Sequence, residues 1–151
     1  MRQIKFRGKR KDTGEWVYGD LLHIDGGCLI YFGSQTKTET PYIENSSPVA
    51  VELFKTEIAV VEPESVGQFT GLTDKNGNEI YEADIVKGPL LDPIFGDIIS
   101  DAFCNAVIEF NNGSFVVSYY GSSHKIYIQD LCDKIEVIGN IHDTPGFLND
   151  K

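Results

Sequence analysis

Phe103-Cys104-Asn105-Ala106-Val107-Ile108-Glu109-Phe110, then Asn111-Asn112-Gly113-Ser114, then Phe115-Val116-Val117-Ser118-Tyr119-Tyr120 is the stretch that decides the fold class. Two strand-length runs rich in β-branched and aromatic residues flank a turn whose Asn and Gly accept positive φ, the pattern of a β-hairpin. Upstream, residues 88–102 hold Pro89, Pro93 and Gly96 among apolar Leu90, Leu91, Ile94, Phe95, Ile98 and Ile99. They read as an inserted loop folded onto the body, with at most one short helix. Asp84-Ile85-Val86-Lys87 reads as a strand before that loop, and Asp74-Lys75-Asn76-Gly77-Asn78 as a hairpin turn between Gly67–Leu72 and Glu79–Tyr81. Downstream, Gly121-Ser122-Ser123 is a turn, Lys125 to Ile128 a short strand, and Ile135 to Ile141 the last strand.

The N-terminal part alternates in the same way. Ile4 and Phe6 alternate with Gln3, Lys5 and Arg7, predicting a half-buried strand. Thr13-Gly14 turns the chain into Trp16–Leu22, and Asp25-Gly26-Gly27 turns it again into Cys28–Phe32, so an antiparallel meander is expected. Residues 33–48 are Ser-, Thr-, Asn- and Pro-rich and read as a long polar loop. Thr56–Val61 resumes a strand, and Pro63-Glu64-Ser65 offers a single helical turn with Pro first. Nine to eleven short strands and no long helix make the expected class all-β with little helix.

Composition narrows the function classes. The chain of 151 residues carries 13 Lys+Arg against 23 Asp+Glu, a formal charge of −10. Phosphate neutralisation by cations supplies most nonspecific nucleic-acid affinity, so so acidic a body disfavours nucleic acid as a partner. Charge is also placed unevenly. Residues 1–11 hold Arg2, Lys5, Arg7, Lys9, Arg10 and Lys11 with no acid, and the other 140 residues net −16 (7 − 23). Three readings follow: a strand whose outward face is basic, an arm that docks on the acidic body of a second copy, or an arm that docks on nucleic acid. Screening within about 8–10 Å means that docking would also need Ile4 and Phe6 to bury. No apolar run reaches the roughly 20 residues of a membrane helix, and the first residues lack a signal-peptide core. The expectation is a cytoplasmic protein with no membrane partner.

No constellation names a reaction. Cys28, Cys104 and Cys132 lack any Cys-x-x-Cys spacing and read as free, mostly buried thiols rather than a metal or redox site. Asp74 to Glu79 resembles a calcium loop only superficially, because Gly stands fourth, not sixth, and the twelfth position is Ile85, not Glu. His23, His124 and His142 lie in no catalytic motif, although a Cys–His pair assembled by the fold stays open as a minor reading. Strand alternation sets Asp20 opposite His23. Glu79, Glu82 and Asp84 read as solvated acids at a strand edge. Phe103, Phe110, Phe115, Tyr119, Tyr120 and Tyr127 read as core rather than as base-stacking platforms, since only Lys125 and Lys134 accompany them. No cofactor, no metal and no catalytic residue is assigned, and no enzyme activity is expected.

The block Gly67-Gln68-Phe69-Thr70-Gly71-Leu72-Thr73-Asp74-Lys75-Asn76-Gly77-Asn78-Glu79-Ile80-Tyr81-Glu82-Ala83-Asp84-Ile85-Val86 resembles the YopX-like proteins of phages and prophages of Gram-positive bacteria. Ile4-Lys5-Phe6-Arg7, Trp16-Val17-Tyr18-Gly19-Asp20 and Ile135–Ile141 are similar to that family's opening and close. Ala83 departs from the pattern, standing where the family usually has Gly, and residues 88–104 look inserted. The resemblance implies an N-terminal β subdomain over residues 1–62 that self-associates, and an SH3-like small barrel over residues 63–151. It also implies a phage or prophage accessory protein in the host cytoplasm, with no reaction attached. Candidate self-association residues are Ile4, Phe6, Arg7 and Trp16. Phe95, Ile98 and Ile99 of the insertion are candidates for a partner-binding loop. A homo-oligomer is the leading expectation; the alternative is a regulatory module that uses the barrel to bind a host or phage protein or a nucleic acid.

Overall fold

A computed structural model of the chain describes residues 3–33, 58–92, 97–119 and 125–148. The expected polar loop at 33–48 therefore lies almost wholly outside the described residues, as do Phe95, Tyr120 and His124. The strands are β1 (Phe6–Lys9), β2 (Trp16–Ile24), β3 (Gly27–Tyr31), β4 (Ile58–Val61), β5 (Gly67–Thr73), β6 (Glu79–Tyr81), β7 (Asp84–Leu91), β8 (Ile98–Asn111), β9 (Ser114–Tyr119), β10 (Lys125–Tyr127) and β11 (Glu136–Asn140). Helical structure among the described residues is confined to 3-10 turns at Pro63–Ser65, Ile128–Asp130 and Pro145–Leu148. The all-β expectation holds, and the Pro63 turn falls where the sequence puts it. The chain divides into two compact units, Ile4–Val66 and one built on Gly67–Lys151.

In the first unit the strands run in the antiparallel order β4-β3-β2-β1. The β2–β3 connection is the two-residue turn Asp25-Gly26, with φ of 49° and 79°. Paired positive φ is the type I′ geometry whose twist matches the strands it joins. Gly19 is required by close approach, because a Cβ there would run into the Tyr31 carbonyl. Alternation assigns the faces. Ile30, Ala59 and Val61 lie on the buried face, whereas Leu22, Leu29 and Val60 form one cross-strand row on the other. The first strand corrects an expectation. Ile4 precedes β1 and is 60% exposed, while Arg7 is only 6% exposed. Arg7 is buried with its guanidinium over the Trp16 ring, 4.9 Å from the centroid, so a position that alternation gave to the polar face is covered by a cation–aromatic contact.

The second unit contains the β5–β6 hairpin and a five-stranded antiparallel sheet in the order β10-β9-β8-β7-β11. Val86, Ala106, Ile108, Val117 and Tyr119 on the sheet pack with Ile80 from β6 and with Ile128, Leu131 and Ile135 from the segment before β11. The deciding hairpin forms as read: Asn112 and Gly113 take φ of 49° and 83°, and Asn111 pairs with Ser114.

Two expectations are corrected here. The strand succession expected of an SH3-like barrel is present, but the sheet is open, with β10 and β11 as its edges. β10 has only three residues, too short a ladder to close a sheet. The chain then leaves it through the Ile128–Asp130 turn, and a register shift between Val137 and Gly139 interrupts β11. Nor are residues 88–102 simply a loop. β7 continues to Leu91 and β8 starts at Ile98, with Gly88↔Cys104, Pro89↔Phe103 and Leu91↔Ile98 in register. The excursion is an extension of the β7–β8 hairpin, and a register shift between Pro89 and Leu91 accommodates the proline, which has no N–H for a ladder.

Candidate functional site

The outer face of the N-terminal sheet is built by period-two alternation along β2, β3 and β4. Leu22 pairs with Leu29 and Leu29 with Val60, so three aliphatic side chains stand in a row across three strands. Val60 is 51% exposed, Ile24 and Tyr18 on the same face are also exposed, and Leu22 and Leu29 are half-buried. This row was not singled out from sequence; only strand register places residues 22, 29 and 60 side by side. Of the residues that were, Ile4 is exposed, Phe6 half-buried, Trp16 half-buried beneath Arg7, and Arg7 buried. The basic arm is also partly neutralised within its own chain. Arg10 bonds Asp12 at 2.7 Å, and Lys11 lies 3.8 Å from Glu62. Through its hydrogen bond and charge, Arg10 holds the Asp12 carboxyl down at about 2.

In the second unit, three elements converge on a groove of about 330 Å³. Phe110, Gly113, Ser114 and Phe115 come from the β8–β9 hairpin, Tyr127 and Gln129 from the end of β10 and the turn after it, and Thr70 and Gly71 from β5. Phe110 and Phe115 are directly paired across the hairpin and meet edge to face at 5.1 Å. β5 bends where it lines the groove: Gly71 has φ of 87°, and register shifts between Phe69 and Thr73. The Thr70 hydroxyl holds the bend by donating to the Ile80 carbonyl and accepting from the Leu72 N–H. Phe110 and Tyr127 are 53% and 55% exposed, so these two rings are surface, not core as their residue types suggested. Phe103 is exposed as well, with the Lys87 ammonium 5.9 Å from its ring centroid, whereas Phe115 and Tyr119 are buried as expected. The signal was positional: Phe110 abuts a turn and Tyr127 a strand end, where alternation no longer guarantees burial. Of the candidate loop residues, Ile98 is exposed at the start of β8, Ile99 follows it on that strand, and Phe95 lies outside the described residues.

A model of the YopX protein family matches residues 5–149. The chain belongs to the YopX family. It is also similar to the crystal structure of protein EF1440 from Enterococcus faecalis, at 24% identity over 98% of this chain and 99% of that one, with a TM-score of 0.56. That likeness is one of fold. No curated protein matches the chain.

Elsewhere in this YopX protein the titratable groups serve mainly to tie backbone together. Asp84 is buried and accepts the Tyr81 N–H at 2.7 Å, which corrects its reading as a solvated acid; the Glu79 carboxylate accepts the Tyr81 hydroxyl. Asp74 accepts from the backbone N–H groups of Asn76, Asn78 and Val137 and from the Asn78 amide. Burial pushes the Asp74 carboxyl up, but these donors more than offset it and hold it below the ordinary carboxylate value. The three cysteines are free and half-buried rather than buried. His23 and Cys28 are cross-strand partners with Nδ1 and Sγ 3.7 Å apart, the one thiol–imidazole contact described. The pair sits at the end of the β2–β3 hairpin, beside the Asp25-Gly26 turn. His142 sits in the turn after β11, its N–H donating to the Asn140 side chain. Among the described residues no group of three or more His, Cys, Asp and Glu is placed to hold a metal ion, and no helix is long and apolar enough to cross a membrane.

Proposed function

We infer that this YopX protein is a phage- or prophage-encoded accessory protein that performs no catalysis and works as a homo-oligomer through its N-terminal sheet. The observation that supports this reading is the Leu22–Leu29–Val60 row, flanked by Tyr18 and Ile24 on the same face. A contiguous apolar face costs solvation free energy in a free monomer, and a second copy applied to the same face removes that cost symmetrically. The in-chain partners of Arg10 and Lys11 shift the weight of the interface from the basic arm to this row. Of the alternative, a regulatory module that binds a protein or a nucleic acid, the nucleic-acid branch finds little support. Residues 67–151 carry 5 Lys and no Arg against 13 Asp+Glu, the wrong sign for a phosphate track.

Light scattering at low and high salt tests the reading. The expected result is a mass above that of one chain that persists at high salt, as an apolar contact requires. Val60→Lys, at an exposed side chain of β4, is expected to yield monomers with unchanged thermal unfolding of the separated chain. A wild-type monomer under both conditions overturns the assembly.

A further inference from the structure

We propose that Asn112 is a site of spontaneous deamidation, and that the fold protects Asn76, which heads the same dipeptide. Asn-Gly occurs twice in the sequence, at Asn76-Gly77 and Asn112-Gly113. The chemistry needs only water. The Gly backbone nitrogen loses its proton and attacks the Asn Cγ. The new N–Cγ bond closes a five-membered succinimide, and the Cγ–Nδ2 bond breaks as ammonia leaves. Water then opens the ring at either carbonyl, giving aspartate or, with the main chain routed through Cγ, isoaspartate. Glycine favours closure because it has no Cβ to obstruct the approach and reaches backbone conformations that other residues avoid. Residue type therefore ranks the two sites equally.

Their surroundings separate them. All four residues are exposed, so exposure does not. At Gly77 the attacking nitrogen is engaged: its N–H donates to the Asp74 carbonyl at 2.9 Å. The Asn76 N–H donates to Asp74 Oδ1 at 2.9 Å, and that carboxylate is itself fixed by Asn78 and Val137. Its negative charge also disfavours an amide anion beside it. At Gly113 neither restraint exists. Asn112 and Gly113, with φ of 49° and 83°, are the central residues of a turn closed by the Asn111–Ser114 pair. Among the described residues no group accepts the Gly113 N–H. The consequence falls on the groove. Gly113 and Ser114 line it, and no Asp, Glu, Lys, Arg or His does, so the product brings a carboxylate to the edge of an uncharged lining. Isoaspartate also lengthens the main-chain path of a turn whose two residues match the twist of β8 and β9.

The test incubates the full chain, folded and in urea, across a series from neutral to mildly alkaline pH, with peptide mapping by mass spectrometry at intervals. Conversion is read at each Asn separately, and isoaspartate by methyl transfer from a carboxyl methyltransferase. In the folded protein Asn112 is expected to convert at least about fivefold faster than Asn76, the factor that one retained hydrogen bond supplies, and to quicken as pH rises. In urea the two rates are expected to converge, because the turn that shields Asn76 is gone. Asn112→Asp is expected to remove the fast phase of ammonia release and to leave conversion at Asn76 unchanged. Equal rates in the folded protein, a faster Asn76, or an inert Asn112 where the unfolded chain reacts overturns the proposal. So does conversion at Asn112 that does not quicken with pH, since the attacking nitrogen must first lose its proton. A rate difference that persists undiminished in urea assigns it to sequence neighbours rather than to the fold, and overturns the proposal as well.

Discussion

Ala83 has φ of 68°, a left-handed conformation in which a Cβ costs about 1–2 kcal/mol. Two long-range hydrogen bonds hold it there: its N–H donates to the Ile108 carbonyl at 2.9 Å, and its carbonyl accepts the Ile141 N–H at 3.0 Å. Glycine meets the same demand without strain but gives up more unfolded-state entropy. Ala83→Gly is therefore expected to stabilise the protein by roughly 0.5–1 kcal/mol, read as a raised urea midpoint at constant m-value; an unchanged or lowered midpoint counts against the strain. Tyr119 is the opposite case. Its hydroxyl is buried without a hydrogen-bond partner among the described residues, and burial, with Cys104 beside it, raises its phenol well above the ordinary value. A buried unpaired donor costs about 1–3 kcal/mol, so Tyr119→Phe is expected to leave stability unchanged or raise it by about 1 kcal/mol in the same assay. A marked loss would mean that the hydroxyl has a partner. The departure at Ala83 was visible in the sequence; the strain was not, because bonds to residues 108 and 141 impose it.

At the scale of elements, the Asp74 turn shows how a local signal acquires a distant task. Asn76-Gly77 correctly announced a hairpin, although only Gly77 takes positive φ, at 84°. The Gly77 N–H donates to the Asp74 carbonyl, and the Asp74 N–H to the Asn78 carbonyl, so the connection is a type I turn closed by a left-handed residue. The sequence did not reveal that this turn is fastened to the start of β11, through the Lys75 N–H on the Ile135 carbonyl and the Val137 N–H on the Asp74 carboxylate. The sign of the pH dependence follows. A carboxyl held below its ordinary value of 3.8 stabilises the fold fully above that value and ceases to do so as pH falls through the lower folded value. Asp74→Asn is expected to lower stability at neutral pH by about 2 kcal/mol and to flatten the acid limb below about pH 4. Thermal melts across that range check it, and a variant with the wild-type acid limb would assign the acid sensitivity elsewhere. The β7–β8 hairpin was under-read for a related reason: Pro89, Pro93 and Gly96 look like loop residues, and only pairing partners such as Phe103 reveal that the flanks are strand.

For the whole molecule, assembly is the property that Val60→Lys and light scattering examine, and the row it targets exists only after β2, β3 and β4 are in register. The same holds for the groove, whose lining brings together residues 70–72, 110, 113–115 and 127–129. By itself the sequence determined the all-β class, the turns at Asp25-Gly26, Asp74–Asn78 and Asn112-Gly113, the Pro63 turn and the membership suggested by residues 67–86. These depend on neighbours along the chain: alternation sets a strand's faces, and Gly, Asn and Pro set which φ the backbone can take. Tertiary structure alone decided that the five-stranded sheet stays open, that Arg7 is buried while Ile4 is not, and that Phe110 and Tyr127 face solvent. Each of those depends on which strands pair and where their ladders end, and pairing is set by the summed packing of residues distant in sequence rather than by any short stretch of it.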